Sequence, residues 1–261
     1  MNKRIVSIDI VRGLVMIIMA LDHVRDLMHS QSLTSSPTNL ATTTPALFLS
    51  RWITHLCAPT FVFLSGVSVY LSSKRKSISA TRGFLLKRGL WLIILEFTIV
   101  NFALWSDIRF RILIMQVIAA IGVGFIVLSL LLKASPKLIG IIAAIIIISH
   151  NLLQFVPPSE NSFVTVLRNL FFTPGLQVVS KDFMFLFAYP LIPWIAIMLL
   201  GFSFGTVFEK QQSSRNKILS YTGLGALALF ILLRLLNVYG DPAPWKTEKN
   251  AVYTLLSFLN V

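Results

Sequence analysis

From Leu14 to Leu21 every residue is apolar, and the run then breaks on Asp22, His23, Arg25 and Asp26. An apolar helix needs about 20 residues to cross a bilayer, so these charges arrive before the crossing is complete. Ionisable groups at that depth are costly, and they are retained where they pair with one another or serve a site. The remainder of the chain continues the same theme. Of 261 residues 56% are hydrophobic and 13% charged, and mean hydropathy is +0.80, which excludes an ordinary soluble globular domain. The sequence predicts an all-α fold, a polytopic transmembrane helix bundle of about seven spans plus a partial eighth.

Applying the length test, the candidate spans lie at roughly 6–28, 46–73, 83–105, 110–132, 137–156, 183–208 and 217–238. A shorter apolar stretch follows at 251–261, and the connection 157–182, punctuated by Pro157-Pro158 and Thr173-Pro174-Gly175, has room for a short interfacial element. No repeat and no low-complexity tract divides the chain, so residues 1–261 read as a single membrane-embedded domain. Met1-Asn-Lys-Arg4 before the first apolar run lacks the small-residue cleavage pattern of a signal peptide, so the first helix is expected to be retained.

The formal charge of +13 comes from Lys and Arg that punctuate apolar spans instead of forming a basic face, which argues for no nucleic acid partner and for the lipid bilayer as the main one. Lys3 and Arg4, then Lys74 to Arg88, then Lys133 and Lys137, then Lys210 to Lys217 fall on alternate connections. Flanks rich in Lys and Arg stay cytoplasmic, so the N-terminus is expected inside. That orientation gives the buried polar residues a common depth. Asp22, His23, Arg25, Asp26 and His29 come late in the first helix, Arg51 and His55 early in the second, Glu96 and Asn101 late in the third, and Gln116 early in the fourth. His150 and Asn151 close the fifth. All are expected in the outer half of the membrane, lining one cavity. Asp9, Arg12 and Gly13 stand near the inner surface.

Histidine is the side chain best placed to accept and return a proton near neutral pH. His23 is therefore the candidate base, with Asp22 or Asp26 as orienting carboxylates. Neighbours on a helix point about 100° apart, so the orienting group could equally come from another helix, for example as Glu96. Arg25 and Arg51 would balance charge. Pro59 cannot donate to the carbonyl of His55 and should kink the second helix there, which would set His55 beside a cavity. Equally, the whole set could be a neutralised structural cluster that ties helices together. The single Cys57 excludes an intrachain disulfide and a cysteine metal cluster, no His/carboxylate ligand set accompanies the histidines, and no metal is expected.

Several segments together resemble the bacterial branch of the heparan-alpha-glucosaminide N-acetyltransferase family of transmembrane acyltransferases. They are Ser7-Ile-Asp9-Ile-Val-Arg12-Gly13, Asp22-His23-Val-Arg25-Asp26, His55-Leu-Cys-Ala-Pro59-Thr-Phe-Val-Phe-Leu-Ser-Gly66, His150-Asn151-Leu-Leu, Tyr189-Pro190-Leu-Ile-Pro193-Trp194 and Tyr239-Gly240-Asp241-Pro242-Ala-Pro244-Trp245. The resemblance implies transfer of an acetyl or other acyl group from acetyl-CoA or another acyl-CoA to a sugar-like acceptor outside, in a bacterial inner or plasma membrane. It also implies further C-terminal helices beyond those present here. The family's catalytic histidine precedes its second helix, where residues 30–45 of this chain have none, so His23 is the substitute and His29 the nearest loop alternative. Arg82 and Arg88 are candidates for the CoA phosphates, although the positive-inside pattern alone accounts for them. The competing readings are a proton-coupled transporter, which would want repeated halves and helices broken at midplane, and a non-catalytic membrane subunit. The sequence is compatible with a homo-oligomer and does not require one.

Overall fold

The computed structural model describes residues 5–28, 35–155, 161–237 and 244–260. Its helices are α1 (Val6–Met28), α2 (Pro45–Thr54), α3 (Cys57–Ser73), α4 (Ile78–Leu95), α5 (Asn101–Trp105), α6 (Val117–Leu131), α7 (Pro136–His150), α8 (Ser162–Phe171), α9 (Leu191–Phe204), α10 (Gln212–Leu236) and α11 (Ala251–Leu259). Among the described residues four continuous helical stretches are long and apolar enough to cross a membrane: Pro45–Ser73, Pro136–Leu153, Leu191–Glu209 and Gln212–Leu236. The chain is a membrane helix bundle. Helix starts follow local chemistry. Ser77 and Ser135 accept the backbone N–H groups of Ala80 and Leu138, and Thr44 accepts that of Leu47. Pro45 and Pro136 occupy first-turn positions where no N–H is needed.

The bend expected at Pro59 is realised. α2 ends at Thr54 and α3 begins at Cys57, with His55 and Leu56 in the break. The third helix passes from α4 into α5 through a π-helical turn, Glu96–Val100. Such turns carry an inserted residue and often mark specialised positions in a helix.

Two compact units make up the chain, residues 1–61 with 211–261, and residues 62–210. In the second unit, α4 packs on α6, and α7 and α6 both pack on α9. In lipid there is no hydrophobic drive between helices, so close van der Waals packing through small residues must hold them together. A Cβ on Gly89 would lie 2.6 Å from the carbonyl oxygen of Gly122, and one on Gly122 would lie 2.7 Å from that of Gly89. The α4 and α6 backbones therefore touch. Gly66 and Gly201 allow the same approach between α3 and α9, against Met198 and Phe63 respectively. Val62, Tyr70, Leu85, Phe125, Leu128, Ile139, Met198 and Phe202 fill the core around them.

The sequence reading missed a small sheet in this unit. β1 (Ile112–Met115), β2 (Gly175–Ser180) and β3 (Phe183–Phe187) form a three-stranded sheet in the order β1-β3-β2. β1 runs parallel to β3, with Ile112 opposite Met184 and Met115 opposite Phe187, while β2 runs antiparallel to β3. The spans expected at 110–132 and 183–208 are therefore helical only from Val117 and Leu191. Short continuous apolar runs such as Phe183-Met-Phe-Leu-Phe187 carry no periodicity that separates strand from helix. Tyr189-Pro190 then forces the helix to start afresh, with Pro190 at its cap. The 157–182 connection holds α8, capped by Asn161, followed by β2.

In the first unit α2 packs on both α1 and α11. Arg234 of α10 donates to the carbonyls of Ser257 and Phe258 at 2.7 and 2.6 Å, satisfying the open C-terminal turn of α11. The Tyr253 hydroxyl donates to the carbonyl of Thr43 at 3.1 Å.

Candidate functional site

The charges that interrupt the first apolar run meet α2. Arg25, in the last turn of α1, places its cation where the helix dipole favours it, whereas Asp22 and Asp26 oppose that dipole and need partners. Arg25 supplies them. Its guanidinium donates to Asp26 at 2.8 and 3.1 Å, pairs with Asp22, and donates to the Thr54 hydroxyl at 3.2 Å. Asp22 also accepts from Arg51 at 2.9 and 3.1 Å and from the Thr54 hydroxyl. Two arginines and two aspartates thus neutralise one another across α1 and α2. The Arg25 side chain is only 7% exposed, while that of Asp26 is 52% exposed. A charge buried as deeply as Arg25 is tolerable only because every direction of its fork finds an acceptor.

Thr54 was not singled out in the sequence. The signal was there, since Thr54 follows Arg51 by one helical turn and so shares its face. Its hydroxyl joins the arginine to the aspartate.

His23 is exposed, about 160° around α1 from the buried Arg25, and makes no hydrogen bond to a described residue. Asp22 and Asp26 are engaged with the arginines and Thr54. His55, in the break between α2 and α3, is also exposed and lies in the field of Arg51, Asp22 and Arg25. Cys57 is buried, with its thiol 3.7 Å from the carbonyl oxygen of Val15. His29 lies outside the described residues. Near the start of α1, Asp9 and Arg12 pair at 3.8 Å, and a Cβ on Gly13 would meet nothing within 4 Å. Close packing does not explain that glycine.

The remaining candidates belong to the second unit. Glu96 is fully buried, and its Oε2 accepts the backbone N–H of Ala119 at 3.1 Å, at the start of α6, while Oε1 has no hydrogen-bond partner among the described residues. Gln116, half-buried, occupies the cap position of that helix. Asn101 imitates a peptide: its amide donates to the carbonyls of Glu96 and Ile114 at 2.7 and 2.9 Å and accepts from Ile114 N–H at 2.7 Å. Asn101 thereby ties the π-turn to β1. His150 is half-buried at the end of α7, with Nδ1 unpaired among the described residues, and Asn151 opens the short 3₁₀ turn that follows.

Outside the spans, Asp107 accepts the side chain of Arg111 at 2.9 Å and the backbone N–H groups of Arg109 and Arg111. The Arg111 hydrogen bond, joined by those amides, holds the Asp107 carboxyl below the usual carboxylate range. Arg82 and Arg88 are both exposed on α4. Six residues at 100° each set them about 120° apart around the helix, so they do not form one phosphate clamp. Among the described residues no group of three His, Cys, Asp or Glu could hold a metal ion.

No curated protein and no solved structure matches the chain. One family model does, that of the catalytic region of heparan-alpha-glucosaminide N-acetyltransferase, over residues 4–239. That stretch includes the α1–α2 charge cluster, the Pro59 break, the glycine-packed bundle and the small sheet. By this match the chain belongs to the heparan-alpha-glucosaminide N-acetyltransferase catalytic family, a family of membrane acetyltransferases.

Proposed function

We propose that the chain transfers an acetyl or other acyl group from an acyl-CoA donor on the cytoplasmic side to a hydroxyl or amine of a sugar-like acceptor on the opposite side. The observation that carries this reading is the family match over residues 4–239, which includes the α1–α2 charge cluster with a histidine beside it in the sequence. In the transfer the acceptor's lone pair attacks the acyl carbonyl, a new C–O or C–N bond forms, and the bond to sulfur breaks with the CoA thiolate as leaving group. The acceptor must shed a proton as it attacks. His23 takes that proton, because the neighbouring carboxylates are already committed to cations while the imidazole stands exposed. Asp22, Arg25, Arg51 and Thr54 are positioning residues that fix the outer end of α1. The alternating basic connections support a cytoplasmic N-terminus.

The test uses the full-length protein in sealed vesicles, with acetyl-labelled CoA on the face that exposes the Lys74–Arg88 connection and an amino sugar on the other. The expected result is label on the enclosed sugar. Label that stays on CoA, with a correctly inserted protein, would refute the reading.

A further inference from the structure

The corner between α3 and α4 carries cations that the transfer chemistry does not use. From Lys74 to Arg88 the sequence has six Lys or Arg side chains (Lys74, Arg75, Lys76, Arg82, Lys87 and Arg88), and no Asp or Glu occurs before Glu96. Glu209 pairs with Lys74 at 3.0 Å. Two of the others converge on one ring. Lys76 Nζ lies 4.7 Å and Arg88 Cζ 5.8 Å from the centroid of Phe84, and Arg88 Cζ also lies 5.9 Å from that of Phe125. Aromatic faces attract each cation, and two like charges around one ring with no carboxylate in the same stretch make a local positive field that favours an anion. A phosphate fits that place.

The surface below the cations is apolar. On α4, Phe84, Lys87, Trp91 and Ile94 recur at intervals of three and four residues, so they share one helix face, and all four are exposed. The face therefore offers cations at its head and an aromatic and aliphatic strip beneath, at the end of the Pro45–Ser73 span. Free nucleotide phosphates would use the head and leave the strip bare. An amphipathic anion would cover both.

We propose that the α3–α4 corner is a binding site for an anionic phospholipid, with its phosphate between Lys76 and Arg88 and an acyl chain along Phe84, Trp91 and Ile94. Basic clusters next to a membrane span commonly recognise such headgroups, each cation adding to the attraction. The site stands independently of the acyl-transfer reading.

Full-length protein is equilibrated in detergent with equal amounts of phosphatidylglycerol and phosphatidylcholine, and the lipids it retains after purification are measured by mass spectrometry. Wild type should retain mainly phosphatidylglycerol. K76Q/R88Q should lose that preference by about tenfold or more, since two cations near the headgroup are removed. R88K, which keeps the charge, and K133Q/K137Q, on a different connection, should retain it. Thermal unfolding in detergent verifies folding of each variant. Equal retention of the two lipids by wild type, or an unchanged preference in folded K76Q/R88Q, would overturn the proposal. Displacement of phosphatidylglycerol by acetyl-CoA would overturn it too, since the phosphate held there would then be the nucleotide's.

Discussion

The two units hold polar groups inside a membrane protein by opposite means. In the first, full charges cancel one another: Asp22 and Asp26 face Arg25 and Arg51, with Thr54 between. In the second, backbone answers side chain. Glu96 takes an amide at the start of α6, and Asn101 completes the edge of β1, while glycines bring the α4 and α6 backbones into contact. The difference shows in what each arrangement leaves over. A charge cluster fixes one helix end and leaves the adjacent histidine exposed, whereas the amide network consumes nearly all of its polar groups.

The largest expected effect separates the buried member of the cluster from its exposed one. Arg25→Leu removes the only described cation paired with Asp26 and leaves Asp22 with Arg51 and Thr54 alone, and breaking a buried ion pair from one side costs about 3–5 kcal/mol. Asp26→Asn removes a half-exposed partner and should cost no more than about 1 kcal/mol. The single buried Cys57 belongs to this unit, so the rate at which a thiol-reactive dye labels it during denaturation reports both changes directly. Equal costs for the two variants would show that the cluster is not organised around Arg25.

Asn101→Ala tests the second arrangement. It leaves the N–H and C=O of Ile114 without their partner, at about 1–3 kcal/mol for each orphaned buried group. Exchange of the Ile114 amide should accelerate more than exchange in α9. Gly89→Ala comes next, with about 1–3 kcal/mol from the Cβ forced against the Gly122 carbonyl. Thermal unfolding in detergent measures that loss, and an unchanged midpoint would contradict the backbone contact.

The smallest effect lies outside the spans. Because the Asp107 carboxyl titrates below its ordinary range in the folded chain, its contribution is complete above the unfolded value and fades as pH falls through the folded one. The 106–111 turn should loosen on acidification, and Asp107→Asn should remove that dependence. Amide exchange in the turn checks both statements.

Much of this comparison was legible in the sequence. Charged residues breaking the Leu14–Leu21 run pointed to a paired charge cluster, and Arg51 was expected near it from its place in the second span. Pro59 announced the break at His55. Thr54 escaped because a hydroxyl in an apolar helix carries no cost that calls for a partner, since it can bond its own backbone. The sheet escaped for another reason. Ile112–Met115 and Phe183–Phe187 are short, uniformly apolar runs adjoining real helices, so hydropathy merged them with their neighbours. Of the polar residues expected to line one cavity, Asp22, Arg25, Arg51 and His55 fall in the first unit and Glu96, Asn101, Gln116 and His150 in the second.

The proposed transfer divides the labour at the end of α1, with Arg25 and the aspartates holding the helix and His23 taking the proton. The most direct test is the rate of acetyl transfer by His23→Gln, compared with wild type at equal amounts of folded protein in vesicles. Removing a positioned base typically lowers such a step by about 10²–10⁴-fold, so the rate should fall by that order while Cys57 protection stays unchanged. A wild-type rate from His23→Gln, with the fold equally protected, would contradict the assignment.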